Sequence, residues 1–133
     1  DFTEEIGQYS DHEQLPRNPL FKDIAVKNAG YRCELCGTST TFTDRENKEY
    51  FEGHHIIMYN PRVQRRFRHC LDHPQNIACL CPECHRKIHH SPEADTEAMV
   101  TKLFEKHHNL LKMFAIKIKD LKEIINDYMN YHE

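Results

Sequence analysis

Two sets of side chains in this sequence have the types and spacings of metal ligands. Cys33-Glu34-Leu35-Cys36-Gly37 and Cys81-Pro82-Glu83-Cys84 form a pair of Cys-x-x-Cys knuckles. Four thiolates so paired satisfy the tetrahedral coordination of structural zinc, and the closed ligand set predicts an ion that holds the fold and performs no chemistry. The knuckles lie further apart than in a compact zinc ribbon, so the segment between them, which contains His54, His55 and Asn76, is looped out of the staple. The alternative is that these are ordinary buried cysteines. Cys79, two residues before Cys81, is assigned to the core, with a minor role as a substitute ligand left open. Cys70, in a polar stretch, has no assigned role.

The second set is imidazole. His85 and His89 are four apart on a predicted helix, so both rings lie on one face and can share a metal. His85 directly follows the ligand Cys84, so the zinc staple fixes where that face points. His54 and His55 add two more rings, but adjacent residues of a regular strand face opposite sides. Both can serve one site only if the strand ends or bends there, and Gly53 is the expected place for a bend. A neutral histidine near pH 7 can accept a proton from water, whereas one beside a cation would be held neutral as a ligand.

The elements that must position these groups are legible in outline. Residues 1–17 read as a loose, acidic lead-in, and Asn18-Pro19 as a helix start, with Asn as N-cap and Pro at the first helical position. Leu20, Phe21, Ile24 and Ala25 recur at helical spacing, and Gly30 stands where a C-terminal glycine ends such a helix. Glu49 to Ile57 reads as a strand and 59–75 as a long basic surface loop. Asn76 to Cys81 is the partner strand, and Pro82 opens a helix that ends before Ser91-Pro92. The fold class is α+β, with a domain over 18–92 and a helical extension over 93–133.

In that extension Val100, Phe104, Leu111, Phe114, Ile118, Leu121, Ile125 and Tyr128 alternate steps of four and three, with His107 in the gap. The stripe predicts one long helix, or two broken near His108-Asn109, packed on its own domain or pairing two chains as a homodimer.

A chain of 133 residues has room for one modest core, which a metal staple would reinforce. Its 38% apolar and 29% charged residues exclude a disordered or membrane-embedded protein. The net charge of −3 argues against nucleic acid until it is resolved along the chain. Residues 54–90 carry Arg62, Arg65, Arg66, Arg68, Arg86 and Lys87 against Asp72 and Glu83, a balance of plus four. That is enough for a local phosphate-attracting surface, and those six cations are assigned to DNA contact on charge alone. No signal segment opens the sequence and no apolar run reaches the roughly 18 residues of a membrane span. Free cysteines then predict a reducing, cytoplasmic setting without a membrane partner. A start at Asp1 predicts that an N-terminal recognition domain is missing.

Taken together, Cys33-x-x-Cys36, Glu52-Gly53-His54-His55-Ile56 and Asn76-Ile77-Ala78-Cys79-Leu80-Cys81-Pro82-Glu83-Cys84-His85-Arg86-Lys87-Ile88-His89 resemble the HNH (ββα-metal) nucleases. The resemblance is to their cysteine-containing subgroup, the McrA-like restriction endonucleases for modified cytosine, and covers roughly residues 18–91. It implies a small ββα-metal core with a four-cysteine zinc, and DNA hydrolysis to 5′-phosphate and 3′-hydroxyl ends in restriction or phage defence. His55, Asn76 and His85 fall on the three letters of the name. The resemblance implies that His55 is the general base, that Asn76 orients it by tying down the intervening loop, and that His54, His85 and His89 hold one catalytic divalent metal. Ligand preference suits Ni, Co, Mn or Zn, while abundance favours Mg or Mn. The rival is a zinc-knuckle module that binds nucleic acid without cutting it.

Overall fold

The computed structural model describes residues 15–131. The side chains of Leu111 and Ile118 lie outside the described set, as do the first fourteen residues of the expected lead-in. The last part of that lead-in belongs to the fold: Leu15 is buried, and the Pro16 carbonyl accepts a hydrogen bond from the Tyr59 hydroxyl at 2.6 Å.

Helix α1 (Pro19–Asn28) starts as its sequence dictates, the Asn18 side chain accepting from the Leu20 amide at 3.0 Å with Pro19 in the first turn. Gly30, past its end, has φ +68°, which glycine adopts without steric cost. Strands β1 (Glu52–His55) and β2 (Ile77–Leu80) form a two-stranded antiparallel sheet in which His54 faces Ala78 and His55 faces Ile77. Helix α3 (Pro82–His90) follows β2 directly, so the order strand, loop, strand, helix is the expected one. The first strand is shorter than expected: it ends at His55, and the chain bends at Ile56 and Ile57. Gly53 is not the bend. A Cβ there would lie 3.2 Å from both the Ile77 methyl and the Lys22 Cγ, so the glycine lets α1 approach the sheet.

The segment 59–75 is not the open surface loop that its charge and prolines predict. It contains a short helix α2 (Pro61–Gln64) and a 3-10 turn (Pro74–Asn76), and it buries Val63, Gln64, Leu71, Asp72 and His73. The Gln64 side chain clasps it from within, donating to the His69 carbonyl and accepting from the Leu71 amide, each at 2.8 Å. A buried amide so satisfied stabilises one loop conformation instead of incurring a desolvation cost.

The C-terminal stripe is divided into three helices, α4 (Glu93–Lys106), α5 (His108–Met113) and α6 (Ile118–Asn130). The first break falls next to the expected place. His107 leaves the helix because its ring is drawn inward, Nε2 lying 2.6 Å from Glu34 Oε1 and Nδ1 2.9 Å from the Gln75 carbonyl. The second break, with Ala115 at φ +53°, has no forerunner in the periodicity. Val100, Phe104, Phe114, Ile125 and Tyr128 are buried within the chain, so these described positions of the stripe pack on its own domain.

Candidate metal centre

The sulfurs of Cys33, Cys36, Cys81 and Cys84 all lie within 4.8 Å of one another. Cys36 Sγ is 3.8 Å from Cys81 Sγ. A tetrahedron of sulfurs about 2.3 Å from zinc has edges of about 3.8 Å, so the four could hold a structural zinc. Local backbone prepares them: the Cys36 amide points at Cys33 Sγ (3.5 Å) and the Cys84 amide at Cys81 Sγ (3.4 Å), the latter as the N-cap of α3. Burial opposes ionisation of Cys33, but the amides around it outweigh burial and bring the thiol down to about 7. Burial pushes Cys81 and Cys84 up. Cys79 stays out of the cluster as a core residue, its thiol pushed up to about 12 by burial and then by Glu34. Cys70 sits 3.9 Å from the Tyr59 hydroxyl and joins neither metal set.

The second cluster is His54, His85 and His89, whose ligand atoms also fall within 4.8 Å of one another. The register of β1 turns His54 onto α3, and the helical repeat brings His85 and His89 to meet it. Their ring centroids are 4.9 to 5.2 Å apart. Two of the three rings are held from behind. His85 Nδ1 is 2.7 Å from Glu52 Oε1, and His54 Nε2 is 2.8 Å from the Tyr128 hydroxyl, which itself donates to the Ile56 carbonyl. Burial alone would raise the Glu52 carboxyl; the hydrogen bonds from His85 and Tyr50 prevail and hold it below its ordinary value. A carboxylate behind a histidine is the arrangement that fixes the tautomer of a metal-ligating ring. The donor set is therefore three imidazoles with outer supports, which suits a borderline divalent ion.

His55 is not part of that cluster. Its ring is 5.0 Å from Tyr59 and its Nε2 2.9 Å from Asp72 Oδ1, with both side chains 6% exposed. Its Nδ1 is buried and has no hydrogen-bond partner among the described residues. The other Asp72 oxygen accepts from the Asn18 amide at 2.7 Å, so α1 holds the carboxylate that holds the histidine. Asn76 is fully buried and ties the ends of the intervening segment together: its amide donates to the Ile57 and Leu71 carbonyls and its oxygen accepts from the Ile57 amide.

The six basic residues divide. Arg62, Arg65, Arg68 and Arg86 are exposed. Lys87 is exposed and pairs along the helix with Glu83 at 3.0 Å. Arg66 departs from the expectation, because its guanidinium pairs with buried Asp127 and with Glu123 at 3.5 Å, which pins α6 to the loop. Sequence reasoning gives no role to Asp72, Tyr128 or Glu52. Asp72 counts there only as a charge and Tyr128 only as an apolar step, although Glu52 lies within the motif that carries the resemblance.

No protein-family model matches the sequence. Over 78 residues the chain is 31% identical to the type IV methyl-directed restriction enzyme EcoKMcrA of Escherichia coli (strain K12). The matched segment is 59% of this chain and 26% of that protein, so the chain spans about a quarter of its relative. The similarity relates the chain to a restriction enzyme. Among the described residues, no helix is long and apolar enough to cross a membrane.

Proposed function

We propose that this chain is a metal-dependent DNA endonuclease domain of the HNH (ββα-metal) type, acting in restriction or phage defence and leaving 5′-phosphate and 3′-hydroxyl ends. The observation that carries the reading is the convergence of His54, His85 and His89, from a strand and a helix, with ligand atoms within 4.8 Å. A structural or purely binding module has no use for such a cluster beside a complete set of four cysteine ligands.

In this reading the four cysteines hold a structural zinc, and His54, His85 and His89 hold a divalent ion. When bound, that ion supplies charge relief on the scissile phosphate and on the departing 3′ oxygen. Asp72 fixes the proton of His55 on Nε2, which leaves the lone pair on Nδ1, and Nδ1 takes a proton from the attacking water. Asn76 holds the segment that carries Asp72 against the end of β1, and so keeps base and strand in register. Exposed Arg62, Arg65, Arg68, Arg86 and Lys87 contact DNA phosphates. Arg66 does not, being committed to Asp127.

The test is plasmid nicking by wild type and His55→Ala, with zinc content and thermal stability measured on the same samples. The expected result is loss of nicking with zinc content near wild type and a stability loss of about 1–3 kcal/mol, because buried Asp72 loses its hydrogen bond to His55. Undiminished nicking by His55→Ala removes His55 as the base, and failure of any added divalent metal to support wild-type nicking favours the binding module.

A further inference from the structure

The C-terminal helix α6 carries no ligand motif, yet it delivers Tyr128 into the histidine cluster. The side chain is buried, its ring stacks on His89 at 5.7 Å and 28°, and its hydroxyl lies between His54 Nε2 and the Ile56 carbonyl. We infer that Tyr128 is a positioning residue that fixes the metal-binding tautomer of His54, so that docking of α6 completes the metal site. This rests on the reading of His54, His85 and His89 as that site.

Counting protons carries the argument. A phenol has one hydrogen to donate, and a backbone carbonyl can only accept. The Tyr128 proton goes to Ile56, so its oxygen accepts from His54, and the His54 proton must sit on Nε2. The lone pair is then on Nδ1, a buried atom on the opposite side of the ring from Tyr128. Ile56 is the first residue past β1, so one hydroxyl fixes both the His54 ring and the point where the strand ends. The neighbouring Asp127–Arg66 pair holds the same turn of α6 against the 59–75 segment. Glu52 does for His85 what Tyr128 does for His54, which supports two of the three rings from elements other than their own.

The test uses the full chain loaded with zinc, washed with a mild chelator and titrated with Ni2+. Tyr128→Phe keeps the ring and removes the hydroxyl, and should weaken Ni2+ binding by about 10–100-fold, the usual effect of removing an outer-shell support. Long-range proton–nitrogen NMR of the nickel-free protein supplies a readout independent of activity. Wild-type His54 should be the Nε2–H tautomer, and Tyr128→Phe should shift it toward a mixture. Should wild-type His54 carry its proton on Nδ1, the inference falls whether or not the variant folds. Equal Ni2+ affinity in Tyr128→Phe, with His54 still protonated on Nε2, overturns the role of Tyr128 alone. A wild-type chain that takes up no Ni2+ overturns the metal site and this role with it.

Discussion

Replacing Asp72 by asparagine separates the carboxylate's electrostatic work from its shape. Asp72 accepts from the Asn18 amide at 2.7 Å and from His55 Nε2 at 2.9 Å. Asparagine has one acceptor oxygen for these two donors. The Asn18 backbone amide can only donate, whereas the imidazole can move its proton, so the oxygen should turn to Asn18 and the amide NH2 to His55. His55 then accepts at Nε2 and carries its proton on Nδ1, where the lone pair is needed. Two charge-assisted hydrogen bonds of about 1.5–3 kcal/mol each become neutral ones of about 0.5–1.5 kcal/mol, a stability loss of about 2–3 kcal/mol. Activity should fall much further, by about a hundred- to ten-thousand-fold, the range of general-base contributions. Initial rates of plasmid nicking, with urea unfolding run in parallel, measure both. An undiminished nicking rate in a folded Asp72→Asn protein would refute the assignment of the base and of the residue that orients it.

Cys84→Ser should lose bound zinc and unfold at markedly lower temperature, because a missing ligand opens a site that substitutes for core in so small a domain; zinc assay and calorimetry check this. Arg66→Ala should cost about 1–3 kcal/mol at neutral pH, discounted for the one-third exposure of the guanidinium, by leaving Asp127 buried without its cation. Burial raises the Asp127 carboxyl and Arg66 holds it down, so the variant raises it further. A carboxyl raised in the folded state stabilises below its unfolded pKa and loses that contribution as pH rises through its folded pKa. The deficit should therefore shrink as pH falls into the carboxylate range, as urea melts at neutral and acid pH would show. Arg68→Ala should lower the salt dependence of DNA binding by about one phosphate contact, whereas a folded Arg66→Ala should leave the slope unchanged.

What is legible in the sequence is what is local. The zinc knuckles, the Asn18-Pro19 start of α1 and the Pro82 start of α3 depend on spacings of a few residues, which a single sequence displays directly. The His85 and His89 pair is legible because Cys84 ties their helix face to the staple, whereas His54 as the third ligand is what the resemblance implies. The supports are not, since His55 meets Asp72, His85 meets Glu52 and His54 meets Tyr128 across sequence separations of 17, 33 and 74 residues. No periodicity marks a carboxylate as the partner of a distant ring. The same limit explains the C-terminal segment: His107 reads as a gap in an apolar stripe, but its ring reaches Glu34, 73 residues away, and the helix breaks to let it. The 59–75 segment looks solvated because its arginines dominate its composition, while Gln64 from within and Asn76 at its end hold it inward.

Counting metals tests most directly whether the three histidines form a site. Zinc-loaded wild type and a variant with His54, His85 and His89 all replaced by alanine would be dialysed against Ni2+, with both metals assayed in each. Wild type should retain zinc and take up one further, chelator-exchangeable ion, and the variant should retain zinc alone. Equal nickel uptake by the two proteins would contradict the site.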